Sequence, residues 1–247
     1  RNGCPALYFL TEGNVDAVYI YLKNCYGKIL GADDVRTEAS PNVIIFWTGR
    51  IPAKEGISLN ELREQVCAEK EYMISLRRDF HRHPELSLQE RRTAGVIEQE
   101  LERFEISHTR IGATGVLGIL RGTQSGSGVV ALRADIDALP IQETNDVEYR
   151  SQTDGIMHAC GHDAHTASLL GAAKVLSQNR DRFGGELRFL FQPAEETGKG
   201  APDFINAGAL DGAERILGLH SAPDLPLGTI GLTPGLNNAA VDHFRIL

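Results

Sequence analysis

Met157-His158-Ala159-Cys160-Gly161-His162-Asp163-Ala164-His165 places one thiol and three imidazoles within nine positions, directly before an Ala- and Leu-rich stretch that reads as a helix to about residue 178. Cys160 and His162 flank a glycine, whose backbone freedom lets both ligand atoms turn toward one ion, and thiolate with imidazole suits zinc or a neighbouring transition metal. A helix N-terminus beside the cysteine favours the thiolate over the thiol. The competing reading of this motif alone is a buried cysteine beside surface histidines. Within it, His165 reads as a supporting or helix-surface residue rather than a ligand, and His158 is undecided.

Phe191-Gln192-Pro193-Ala194-Glu195-Glu196 sets adjacent carboxylates directly after an apolar run. Neighbouring residues point in different directions, so one can bind a metal while the other takes a proton from water; a solvated loop is the alternative. Asp135 and Asp137 follow another apolar run, where each can cap a turn, ligate a metal or fix the tautomer of a ligand histidine. The orienting role is favoured for Asp137. His220 ends a third run, before the loop signal Ser221-Ala222-Pro223, and completes a donor set with Cys160, His162 and the glutamates. His81 and His83 read as structural or surface residues, and Cys4, Cys25 and Cys67 as buried or incidental.

The elements that must position these groups follow from periodicity. Leu62, Val66, Met73, Leu76 and Phe80 recur at helical spacing from Leu59 until Pro84 closes the segment, which predicts one amphipathic helix. A second runs from Gln89 to about Phe104, with Ala94, Ile97, Leu101 and Phe104 as its buried stripe. Residues 116–120, 129–132, 187–191 and 216–219 read as strands, and the alternation predicts an α/β fold, a mixed, mostly parallel sheet flanked by helices. Three of these strands run straight into Asp135 and Asp137, Glu195 and Glu196, and His220. Open α/β sheets bind ligands beyond the carboxyl ends of their strands, so the motifs lie where a site is expected. Residues 1–58 carry apolar patches at 5–10, 15–22 and 43–47 and are expected to form a small α/β segment without a catalytic constellation.

A chain of 247 residues with 42% hydrophobic content supports one substantial core domain with a small appendage. A formal charge of -8 without a basic run argues against nucleic acid or an anionic membrane as the main partner and leaves a small molecule or a protein. Four dispersed cysteines without a CxxC pair fit a reducing, cytoplasmic setting. No apolar run approaches the ~20 residues that span a bilayer, and no signal peptide is recognisable, so a soluble protein is expected. The start at Arg1 rather than Met suggests a preceding portion.

Five motifs occur in the order shown by one known family: the run from Leu76 to Ser87 containing Asp79, His81, His83, Pro84 and Glu85; Leu132-Arg133-Ala134-Asp135-Ile136-Asp137-Ala138-Leu139-Pro140; the His158 to His165 motif; Phe191 to Glu196; and Gly218-Leu219-His220. From about residue 60 onward the chain resembles the metal-dependent amidohydrolase/carboxypeptidase family that includes hippurate hydrolase, N-acyl-amino-acid amidohydrolases and the plant hydrolases of auxin-amino-acid conjugates. The resemblance implies a zinc-exopeptidase-like catalytic domain holding two divalent ions, Mn or Zn. It makes Cys160 the bridging thiolate, His162, Glu196 and His220 further ligands, and Glu195 the general base that accepts a proton from metal-activated water. The expected partner is a small N-acyl amino acid or peptide substrate, with a homo-oligomer in the intact family. The resemblance also implies that residues 59–247 form only the N-terminal part of the domain. Asn238 to Leu247 would be the crossing into a lid or dimerisation domain, and the last ligand histidine and the substrate carboxylate clamp would lie beyond Leu247.

Three alternatives stand beside amide hydrolysis of N-acyl amino acids. A dipeptidase or aminopeptidase of the same architecture is disfavoured by Cys160 standing where a bridging carboxylate is expected. A catalytically inactive metal-binding module is the reading from a different class. A zinc nucleobase deaminase lacks its Pro-Cys-x-x-Cys motif here.

Overall fold

The computed structural model describes residues 18–22, 28–30, 59–226 and 229–232. The patches at 5–10 and 43–47, Cys4, Cys25 and the stretch 238–247 lie outside them. In chain order the elements are β1 (Val18–Leu22), β2 (Lys28–Leu30), α1 (Leu59–Ala68), α2 (Lys70–Arg82), α3 (Arg91–Arg103), β3 (Ser107–Ile111), β4 (Gly115–Arg121), β5 (Gln124–Asp135), α4 (His162–Gln178), β6 (Gly184–Gln192), α5 (Gly200–Asn206), β7 (Arg215–Ser221) and β8 (Thr229–Leu232).

These strands form one mixed sheet in the order β2-β8-β1-β7-β5-β6-β4-β3. At its centre β7, β5 and β6 run parallel, so their carboxyl ends meet at one edge. The antiparallel pair β4 and β3 continues beyond β6. The backbone of β1 pairs with β7 in parallel, and β8 bonds to β1 and β2.

Alternation along the central strands divides the core between the two faces. Leu132 and Ala134 on β5, and Phe189 and Phe191 on β6, pack with Phe80 of α2, Ala94, Ile97 and Leu101 of α3, and Leu169, Leu170 and Ala173 of α4. Ala131 and Leu190 point the other way, to Phe204 of α5 and Ala209. Each fully buried Phe, Leu or Ile contributes about 1.5–3 kcal/mol, which makes this layer the platform on which the strand ends are fixed.

The expected α/β layering is present, with departures from the sequence reading that begin with β8, a strand no expectation covered. The segment expected as one helix from Leu59 to Pro84 is two, broken at Glu69, whose carboxylate reaches Lys174 Nζ on α4 at 2.5 Å. Strand β3 gave no apolar signal because it is a polar edge strand whose first three residues are exposed. Helix α5 was hidden by its length of seven residues and its opening Gly200-Ala201-Pro202, which reads as loop although Pro is tolerated in a first helical turn. No helix among the described residues is long and apolar enough to cross a membrane.

Candidate metal centre

The carboxyl ends of β5, β6 and β7 deliver Asp135, the Glu195-Glu196 turn and His220 to one place, and the loop into α4 brings Cys160 and His162 to meet them. Gly161, with φ at +87°, makes the turn between those two residues. A Cβ there would also stand 2.4 Å from Ser221 Oγ, so only glycine lets the loop sit against β7. Ser221 Oγ donates to the Cys160 carbonyl oxygen at 2.8 Å, tying the cysteine loop to the end of β7.

Two histidines are held in the same tautomer. His162 Nδ1 donates to the Asp137 carbonyl oxygen at 2.9 Å, with the Asp137 carboxylate at 3.3 Å. His220 Nδ1 donates to the Ser221 carbonyl oxygen at 2.7 Å. Both Nε2 atoms therefore carry the lone pair in the neutral ring, the form a metal ligand requires. Ser87 Oγ donates to Asp137 Oδ2 at 2.7 Å and the Glu196 amide donates to the same oxygen at 3.1 Å.

The donor atoms converge. Those of Cys160, His162 and His220 lie within 4.8 Å of one another, as do those of His162, Glu195 and Glu196, and of Asp135, His162 and His165. Cys160 Sγ is 3.3 Å from His220 Nε2. His162 Nε2 is 3.8 Å from Glu196 Oε1 and 4.0 Å from Glu195 Oε2, too far for hydrogen bonds. Two ligands of one tetrahedral zinc stand about 3.4–3.7 Å apart, given bonds of about 2.0–2.3 Å, so the separations suit a shared ion. His162 Nε2 is buried and has no hydrogen-bond partner among the described residues, an orphan that a cation would satisfy.

Electrostatics point the same way. Burial opposes a charge on His162, yet the Asp137 hydrogen bond and the Cys160 and Asp135 charges overcome it and push its pKa up to about 11. The cluster thus recruits a proton where a metal would otherwise supply positive charge. The neighbouring His162 and His220 imidazoles, the latter 3.3 Å from Sγ, hold the Cys160 thiol below its usual value, toward the thiolate. Burial and the Asp135 charge raise Glu195, only partly countered by His162 and Arg133.

The remaining candidates fall into supporting positions. His165 is buried: its Nε2 accepts from the Ser221 amide at 2.8 Å, so Nδ1 carries the proton and donates to Asp135 Oδ1 at 2.5 Å. Both ring nitrogens are occupied, and the ring is not on the helix surface. His158 is buried and held neutral, its pKa pushed down to about 4 by burial, and belongs to none of the donor groups. His81 is buried rather than on the surface, with Nδ1 2.7 Å from Asp163 Oδ2 and Nε2 3.1 Å from Glu143 Oε1. His83 is part-exposed and bonds the Asp79 carbonyl oxygen. Cys67 is a half-buried free thiol. Ser87, Glu90, Arg77 and Glu143 escaped the sequence reading because their partners are remote: Ser87 lies 50 residues from Asp137, and Glu90 104 from Ala194.

An α/β sheet with Cys, His and Glu donors gathered at its parallel strand ends forms a candidate metal centre. Residues 131–246 match the model of Peptidase family M20/M25/M40, and the chain is similar to proteins named as a deacetylase and an amidohydrolase. It is 49% identical over 177 residues to N-acetylcysteine deacetylase of Bacillus subtilis, covering 71% of this chain and 46% of that protein. It is 47% identical over 188 residues to N-acyl-L-amino acid amidohydrolase of Geobacillus stearothermophilus, covering 75% of this chain and 50% of that protein. The solved structure of the Bacillus subtilis YXEP protein, described as a dinuclear metal binding peptidase from the M20 family, superposes with a TM-score of 0.61 at 47% identity. That match covers 63% of this chain and 44% of the other. The chain thus spans about half the length of the curated relatives it matches.

Proposed function

We propose that these residues form the N-terminal part of a metal-dependent amidohydrolase that cleaves the amide bond of N-acyl amino acids or small peptides. The observation that carries the reading is the orphaned, buried Nε2 of His162, facing a thiol, an imidazole and two carboxylates at ligand separations. Relatives named as acting on N-acetylcysteine and N-acyl-L-amino acids support the substrate class.

Cys160, His162, Glu196 and His220 would hold one or two divalent ions, Zn or Mn. A bound ion there supplies Lewis acidity, lowering the pKa of water and polarising the amide carbonyl. Glu195 acts as general base: its half-exposed carboxylate can meet solvent, and its raised pKa strengthens it as a proton acceptor. The proton it takes from the attacking water is returned to the departing amine nitrogen. Asp137 positions rather than reacts, since its bond to Nδ1 fixes the His162 tautomer and its bond to the Glu196 amide fixes the glutamate turn.

The test is metal content of the purified chain after incubation with Zn or Mn and removal of free ion, beside Cys160→Ala, followed by hydrolysis of hippurate. Retention by the wild type, loss in Cys160→Ala, and turnover abolished by Glu195→Gln with metal retained are the expected results. Failure of the wild type to retain metal would overturn the reading. A module that binds metal without turnover is the second reading; it predicts retention with no hippurate cleavage.

A further inference from the structure

Glu90 precedes α3 and is fully buried, yet the groups that hydrogen-bond its carboxylate, the Thr114 hydroxyl and the backbone amides of Ala194, Leu88 and Glu90 itself, include no cation. Thr114, equally buried in the turn between β3 and β4, donates its hydroxyl to Oε2 at 2.7 Å. The amide of Ala194 donates to Oε1 at 2.9 Å. A buried carboxylate without a cationic partner is costly, and a neutral residue would avoid that cost.

Ala194 lies in the left-handed region, with φ at +52°, although it is not glycine. Such a backbone persists only where its surroundings impose it. The two residues that follow are Glu195 and Glu196. The turn is closed by Gly198 N donating to the Glu195 carbonyl at 2.8 Å and Lys199 N donating to the Ala194 carbonyl at 3.0 Å. Beyond it, Gly200 packs so tightly that a Cβ would stand 1.7 Å from the Pro193 carbonyl oxygen. The amides on either side of Glu195 are therefore each held by a carboxylate from a different part of the fold, Ala194 by Glu90 and Glu196 by Asp137.

We propose that Glu90 is a positioning residue: through the Ala194 amide it imposes the left-handed backbone that aims Glu195 and Glu196 at the His162 cluster. The inference rests on the functional reading above for what the glutamates do. That Glu90 sets their backbone is independent of it, and the experiment separates the two.

Backbone amide exchange over residues 192–200 is measured for wild type, Glu90→Ala, Glu90→Asp, Glu90→Gln and Glu90→Ala with Ala194→Gly, and each protein is titrated with zinc. Glu90→Ala should speed exchange in this segment above the rest of the chain and weaken zinc binding by about 10- to 100-fold, the usual cost of losing an outer support of a metal ligand. Glu90→Gln should stay near wild type, because its carbonyl oxygen still accepts from Ala194 and its amide still meets Thr114. Adding Ala194→Gly to Glu90→Ala should recover part of the loss, since glycine adopts this φ unaided. General packing by Glu90 would instead lower stability everywhere and gain nothing from Ala194→Gly. Wild-type exchange and zinc affinity in Glu90→Ala, or equal damage in Glu90→Gln, would overturn the proposal. If Glu90→Ala does not fold, Glu90→Asp, one methylene too short for Ala194, gives the same readings. If even the wild type binds no zinc, the metal reading fails and the exchange pattern alone decides the role of Glu90.

Discussion

His162 Nδ1 sits 2.9 Å from the Asp137 carbonyl oxygen and 3.3 Å from its carboxylate, so a single residue commits the ring proton with both its main chain and its side chain. Asp137→Ala keeps the carbonyl contact but removes the carboxylate and, with it, the acceptor for the Glu196 amide. Zinc affinity should fall by about 10- to 100-fold, as is usual when the support of a ligand is lost. Ser87→Ala, which removes only a donor to that carboxylate, should fall by less. Calorimetric titration of the two variants checks the order, and a larger loss in Ser87→Ala would contradict it.

Metal should stabilise the chain as well as occupy it. An ion that binds the folded state alone at 100 times its Kd adds about 2.7 kcal/mol, and for a chain of this size that is a rise in Tm of roughly 5–10 °C. Thermal melts with zinc and then with excess chelator should differ by this amount in the wild type and hardly at all in Cys160→Ser. Identical wild-type melts under both conditions would remove the basis for a native metal centre.

Gly161→Ala combines two penalties, a left-handed φ of +87° and a Cβ 2.4 Å from Ser221 Oγ. The backbone penalty alone is about 1–2 kcal/mol. Denaturant unfolding should show at least that loss, and zinc affinity should drop with it because the Cys160 and His162 arms are pushed apart. Gly155→Ala, where φ is also positive but the Cβ has open space, separates the terms: it should cost stability without touching zinc affinity.

The His81 arm gives a pH dependence. Burial works against its charge, but the hydrogen bonds and charge of Asp163, together with Glu143, outweigh it and raise its pKa on folding. A raised histidine adds stability that is complete below the unfolded value of about 6.5 and is lost as the pH climbs through the folded value. In the metal-free protein, the stability gap between wild type and His81→Gln should therefore be wider at pH 6 than at pH 9. A gap that widens toward pH 9 would mean that His81 is neutral in the native protein.

The sequence made legible what is local. Cys160, Gly161 and His162 form their corner within three residues, and the runs ending in Asp135, Glu196 and His220 announce strand ends through apolarity alone. Residues whose meaning lies in distant partners stayed silent. Glu90 looks like any acidic residue before a helix, and Thr114 like a turn threonine, until the fold brings the Thr114 hydroxyl to the Glu90 carboxylate and that carboxylate to the Ala194 amide. His165 was legible as a support but not as a buried one, because its acceptor Asp135 and its donor Ser221 lie on opposite sides of it in the chain. Strand β3 was missed because an edge strand can be polar on both faces, which erases the period-two signal.

The insertion of β7 beside β5 fixes the time at which the centre comes into being. Cys160 and His162 leave the ribosome together, but His220 follows 60 residues after Cys160 and reaches it only when β7 has paired in parallel with a strand made long before. Non-local parallel pairing is among the slower steps of folding. An ion added before β7 docks therefore meets a donor set that lacks His220, and tight capture reports that β7 has paired with β5.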